Sequence, residues 1–183
     1  MKRITFIPDF VYFLFFSVLL SGCSKLFSDE KLTLQRTDYN GNELRIDGYY
    51  YQFDTSYDSS VPNRTLCFFL FRNGVIVTMG SYETIDLKTV EREMLTRYKW
   101  LYNSKSVWGI FVINGNTYEE EGWSTSVGGG LPVYKCVGII ENDTTIRITK
   151  HINVKEKKEF PQDYRCHFRQ FSPKPDSTNN FIK

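Results

Sequence analysis

This chain is poor in the residues that metal and thiol chemistry need. Its 183 residues include two histidines, His151 and His167, and four cysteines, Cys23, Cys67, Cys136 and Cys166. A zinc site needs three or four ligands in tetrahedral reach, and the neighbours Cys166 and His167, on an extended segment, point to opposite faces. No Cys–His nucleophile motif is present. A surplus of one charge is also missing. Lys and Arg number 23 against 21 Asp and Glu, a net +2, which excludes the strongly basic face that nucleic acid requires. Gly128-Gly129-Gly130 lacks the following helix and the Lys-Ser/Thr of a phosphate loop, and reads as a strand connector. No metal, cofactor, nucleic-acid partner or enzymatic activity is expected on these grounds. Long apolar runs are scarce too: the best one, Phe10 to Leu20, follows Asp9 and falls short of the ~20 residues that span a bilayer.

What is there begins with that run. Met1-Lys2-Arg3 is a basic start, Phe10 to Leu20 is an apolar centre, and Ser21-Gly22 are small residues before Cys23. This is the layout of a secretory signal peptide. Leu20-Ser21-Gly22-Cys23 resembles the lipobox of bacterial lipoproteins. The resemblance implies removal of residues 1–22 and attachment of acyl chains to Cys23, giving a membrane-anchored envelope protein. Two or more chains make such anchoring stable where one is marginal. Ser24, not Asp, follows the cysteine, and the resemblance then favours the outer membrane.

Residues 23–43 are polar with little periodicity and read as a tether. From 44 on, aromatic and β-branched residues are dense, which favours strands. Strands are expected at 44–53, 65–71, 75–79, 107–113, 117–125, 133–140, 144–152 and 164–171. Asn73-Gly74 between apolar runs marks a hairpin of the type I′ kind, with φ > 0 at both central residues. One helix is expected at 86–103, where Leu87, Val90, Met94, Tyr98 and Leu101 share a face at helical spacing. Trp100 falls on its opposite face. Lys155 to Glu159 reads as a charged loop, and 172–183, with Pro173 and Pro175, as a mobile tail.

Eight short strands with close turns and one helix imply a mainly β domain over 44–171, an antiparallel barrel or half-open barrel. Gly48-Tyr49-Tyr50 resembles the G-x-W signature of lipocalins with Tyr in place of Trp, and the succession of hairpins is similar to the lipocalin-like domains of small bacterial lipoproteins.

Within this frame Glu119-Glu120-Glu121 is the one carboxylate cluster. Only Glu119 and Glu121 share a face, and a solvated edge strand is the expectation. Ile146, Ile148 and Ile152 are placed on one face of their strand, opposite His151. An exported chain meets an oxidising compartment, and Cys136 with Cys166 is the candidate disulfide. Two functions remain. The barrel holds a small apolar or amphipathic ligand among its aromatics, or it is packed solid and docks as an accessory subunit on another envelope protein. The ligand-contacting residues are unknown at this level.

Overall fold

A computed structural model of the protein describes residues 28–54, 63–127 and 129–183. Residues 1–27, which include the expected leader and Cys23, residues 55–62 of the first loop, and Gly128 lie outside them.

Eight antiparallel strands form a closed barrel in sequence order. They are β1 (Gly48–Asp54), β2 (Arg64–Leu70), β3 (Val75–Tyr82), β4 (Trp108–Asn114), β5 (Thr117–Trp123), β6 (Val133–Asn142), β7 (Thr145–Asn153) and β8 (Lys158–Gln170). β1 closes on β8 through Gly48↔Gln170 to Tyr51↔His167. The closed alternative of the two expected architectures is the one that forms. The β2–β3, β4–β5 and β6–β7 hairpins mark what we term the lower end. The upper end carries the longer connections, including helix α1 (Leu87–Leu101) between β3 and β4.

Local chemistry fixes these elements. Asp86 caps α1 by accepting from the Lys88 and Thr89 backbone N–H groups, as a carboxylate at that position does. Buried Trp108 donates from Nε1 to the Leu101 carbonyl at 2.8 Å, which ends the helix against the first residue of β4. The Asn-Gly hairpin forms with a different turn from the one expected. Gly74 has φ 73° whereas Asn73 does not share it, and Gly74 N–H donates to Phe71 O. The loop is thus a type I turn followed by a left-handed glycine. The room there is taken: a β-carbon on Gly74 would lie 2.1 Å from the Thr37 carbonyl oxygen.

Two apolar layers share the barrel wall. Inside, Tyr50, Leu70, Ile76, Phe111, Tyr118 and Ile146 fill the lower lumen. Tyr50 stacks on Phe68 at 5.5 Å and meets Phe168 edge-on at 5.4 Å. Each such buried ring contributes ~1.5–3 kcal/mol. Outside, Tyr49, Phe69, Val77 and Met79 are covered by Val90 and Met94 of α1.

The segments flanking the barrel are part of the packed body. Residues 28–43 of the expected tether, together with 44–47, where the first strand was expected to begin, instead form a strap. It descends the outer wall from the upper end, and Tyr39 and Leu44 then plug the lower lumen. Tyr39 Oη accepts from Leu44 N–H at 2.7 Å, and its ring meets Phe111 at 5.7 Å. Residues 172–183, expected to be mobile, lie against the outer layer. Ile182 is buried, Tyr98 Oη donates to Pro173 O at 2.8 Å, and Lys174 Nζ donates to Ile46 O and Leu70 O. β8 starts six residues earlier than the sequence reading, because Lys158 to Pro161 pair with β7 and leave only Val154 to Lys157 as turn.

Candidate functional site

The lumen is solid below and hollow above. A cavity of about 130 Å³ in the upper half is lined by Gln52, Phe68, Thr78, Glu120, Ile148 and Tyr164, with Cys166 on its floor. Thr78 is exposed although Ile76, two residues away on the same face, is buried, so solvent reaches into the upper lumen.

Strand alternation places the polar groups. Tyr118 and Glu120 of β5 both face inward, and Glu120 lies opposite Cys136 of β6. Tyr118 Oη donates to the Glu120 carboxylate. Burial raises the Glu120 carboxyl above its ordinary range, while the Tyr118 hydroxyl and Cys136 thiol pull it back down by hydrogen bonding. A second pair sits further round the wall, on β7 and β8: His151 Nε2 and Tyr164 Oη share a hydrogen bond at 2.7 Å. Burial lowers the His151 pKa, so the imidazole is neutral at pH 7, and burial drives the Tyr164 phenol far up.

His151 reaches this position through an irregularity. The β7–β8 register shifts between Ile148 and Lys150, which reverses the alternation. His151 therefore lies opposite inward-facing Cys136, on the side that Ile146 and Ile148 occupy, and not opposite them as strict period-2 reading places it. A bulge of this kind re-aims a side chain.

Two further expectations are corrected. The three glutamates do not form a solvated edge, because β5 is bonded to both β4 and β6. Glu121, on the outer face, is fully buried. It accepts from Thr33 N–H and Thr33 Oγ1, both at 2.6 Å, and from Leu34 N–H at 2.9 Å, with Lys135 Nζ 3.6 Å away. It is the clasp of the strap. Nor do Cys136 and Cys166 form a disulfide. Cys67, Cys136 and Cys166 are all free. β7 runs between β6 and β8, so two strand spacings, ~9–10 Å, separate the pair, beyond the ~7 Å that a disulfide bridges. Burial raises all three thiols, Cys67 up to about 12, which keeps them protonated and poorly nucleophilic.

Elsewhere the placements agree with the sequence. His167 is exposed and Cys166 buried, on opposite faces of β8; Trp100 is 65% exposed on α1. Gly129 and Gly130, with φ 81° and 70°, belong to the β5–β6 connection. A larger hollow of about 460 Å³ at the lower end is lined by Phe71, Arg72 and Lys174. Its half-buried Lys174 ammonium is already bonded to two carbonyls. Among the described residues no cluster of three potential metal ligands occurs. The lumen site was readable only as a face shared by Tyr118 and Glu120; its partners from β6, β7 and β8 required the barrel. No family model, curated protein or solved structure matches this chain.

Proposed function

We propose that the protein is a lipoprotein anchored through Cys23 to the cell envelope, at the outer membrane, and that its upper lumen binds a small amphipathic ligand with an amine-type head. The observation that carries the ligand reading is the hollow above a packed floor, walled by rings and converging on Glu120. Its volume, about 130 Å³, is close to that of an apolar cavity of ~150 Å³ that admits benzene. It therefore suits a molecule of about six to eight heavy atoms and not a long acyl chain, which needs the ~300 Å³ or more of larger pockets.

The polar groups set the head. His151 and Tyr164 satisfy each other, whereas Glu120 is an acceptor once ionised. A cation offsets the burial that raises the Glu120 pKa and gains from the faces of Phe68 and Tyr164. Binding is then strongest above the Glu120 pKa and is lost as the carboxyl protonates.

Calorimetric titration of the full chain in detergent tests this with benzylamine, choline, benzyl alcohol and benzoate. Preference for the two cations, abolished in Glu120→Gln, supports the reading. Equal or tighter binding of benzoate overturns it. The anchor is tested by radiolabelled palmitate: incorporation that is lost in Cys23→Ser supports it, and an unlabelled wild type removes it.

A further inference from the structure

We infer that the upper rim of the barrel rests on a phospholipid surface, so that the lumen opens toward the bilayer; this depends on the anchoring half of the proposed function.

The first argument is where the chain leaves the packed body. Glu30 N–H donates to Leu131 O at 3.0 Å, Trp123 Nε1 donates to Glu30 O at 2.7 Å, and Val133 N–H donates to the Glu30 carboxylate at 2.9 Å. Asp29 pairs with Lys105 at 2.9 Å. All these partners belong to upper strand ends or upper connections, so the strap is fastened there from its first described residues. Cys23 lies five residues before Ser28. Even fully extended, five residues reach at most ~18 Å. An acylated Cys23 therefore keeps the upper end near the headgroups.

The second argument is the distribution of exposed apolar side chains. Among the described residues, eight large hydrophobics are exposed. Phe53 is next to last in β1, Ile85 follows β3, Trp100 is in the last turn of α1, Tyr102 follows it with its ring 6.4 Å from that of Trp108, Val127 is in the β5–β6 connection, and Phe160 is the third residue of β8. Phe53, Ile85, Val127 and Phe160 sit at upper strand ends or in upper connections, and Trp100 and Tyr102 sit where α1 meets the start of β4, whereas Ile139 lies low on β6 and Leu95 lies mid-helix. Two of the rings carry lysines: Lys99 Nζ is 5.4 Å from the Trp100 ring and Lys158 Nζ is 5.0 Å from that of Phe160. A ring at the level of the headgroups with an ammonium reaching for phosphate is the chemistry of a membrane interface. Acidic residues share this rim, Asp29, Asp54 and Glu156 among them, so the contact rests on rings and not on net charge, and zwitterionic lipid suffices.

The test uses the full chain, purified from membranes in detergent and reconstituted into phosphatidylcholine vesicles with or without brominated acyl chains. Trp108 and Trp123 are buried and Trp100 is exposed, so Trp100 is the reporter. Brominated lipid should lower its emission about twofold, since a ring at headgroup depth lies within reach of the chains. Trp100→Phe should remove the loss. Ile139→Trp in that background, a reporter at the lower end, should stay bright. Mass spectrometry of the same sample reads the acylation of Cys23. An acylated protein in which Trp100 is unquenched, or in which Ile139→Trp is quenched equally, overturns the rim inference and leaves the anchor standing. An unacylated chain that does not float with the vesicles overturns both.

Discussion

Glu121→Ala should free the strap without unfolding the barrel. Glu121 is 0% exposed and receives three hydrogen bonds from Thr33 and Leu34. If the strap stays down in the variant, two backbone N–H groups lose their acceptor, at ~1–3 kcal/mol each. If it lifts, Leu32 and Leu34 leave the outer layer, each forfeiting up to ~1.5–3 kcal/mol of burial. The less costly route sets the value, and both give roughly 3 kcal/mol. Glu119→Ala is the control. Glu119 lies on the same face and the same 3.6 Å from Lys135, but it is half-exposed, and a surface pair of this kind contributes ~0–1 kcal/mol. Urea unfolding measures the total, and native-state hydrogen exchange at Thr33 and Leu34 locates it. Equal losses for the two variants, or unchanged protection at Thr33 and Leu34 in Glu121→Ala, would refute the clasp.

Three other outcomes are expected. Gly74→Ala should destabilise by ~2 kcal/mol or more, because φ 73° and the Thr37 oxygen 2.1 Å from the new carbon combine backbone strain with overlap; thermal melts read it. Burial lowers Lys174 to about 8, so between about pH 8 and the unfolded lysine value near 10.4 the unfolded chain binds more protons and stability rises with pH. Lys174→Met should flatten that rise in urea titrations across pH 7.5–10.5. In the native protein the buried Cys67 and Cys166 should react with a thiol reagent only as fast as the barrel opens, the half-buried Cys136 should react slowly because burial raises its thiol, and no bridged mass, two hydrogens lighter, should appear under air oxidation; fast labelling of Cys136 would contradict its protonated state.

The strands and the helix were legible in the sequence because hairpin glycines and helical spacing are local signals. Leu87, Val90, Met94 and Leu101 needed no tertiary knowledge to be placed on one face. What was hidden depends on neighbours far along the chain. The burial of Glu121 is decided by Thr33, 88 residues away, and nothing about three consecutive glutamates distinguishes a clasp from a solvated edge. His151 was misplaced by one step because the bulge after Ile148 leaves no mark in residue type. The strap and the tail look polar, and their few anchors, Tyr39, Leu44, Lys174 and Ile182, acquire meaning only from the barrel faces they meet.

The strap also gives the molecule a mechanical polarity. Pull on the N-terminal side is received at Asp29 and Glu30 before it reaches the Thr33–Glu121 contact, where the chain peels away one residue at a time. β1, with partners on both sides, would have to yield only after Tyr39 and Leu44 had been drawn from the lower end. A tug of modest size is thus absorbed by unthreading twenty residues of slack, and the stopper, not the wall, is the part that such a force removes.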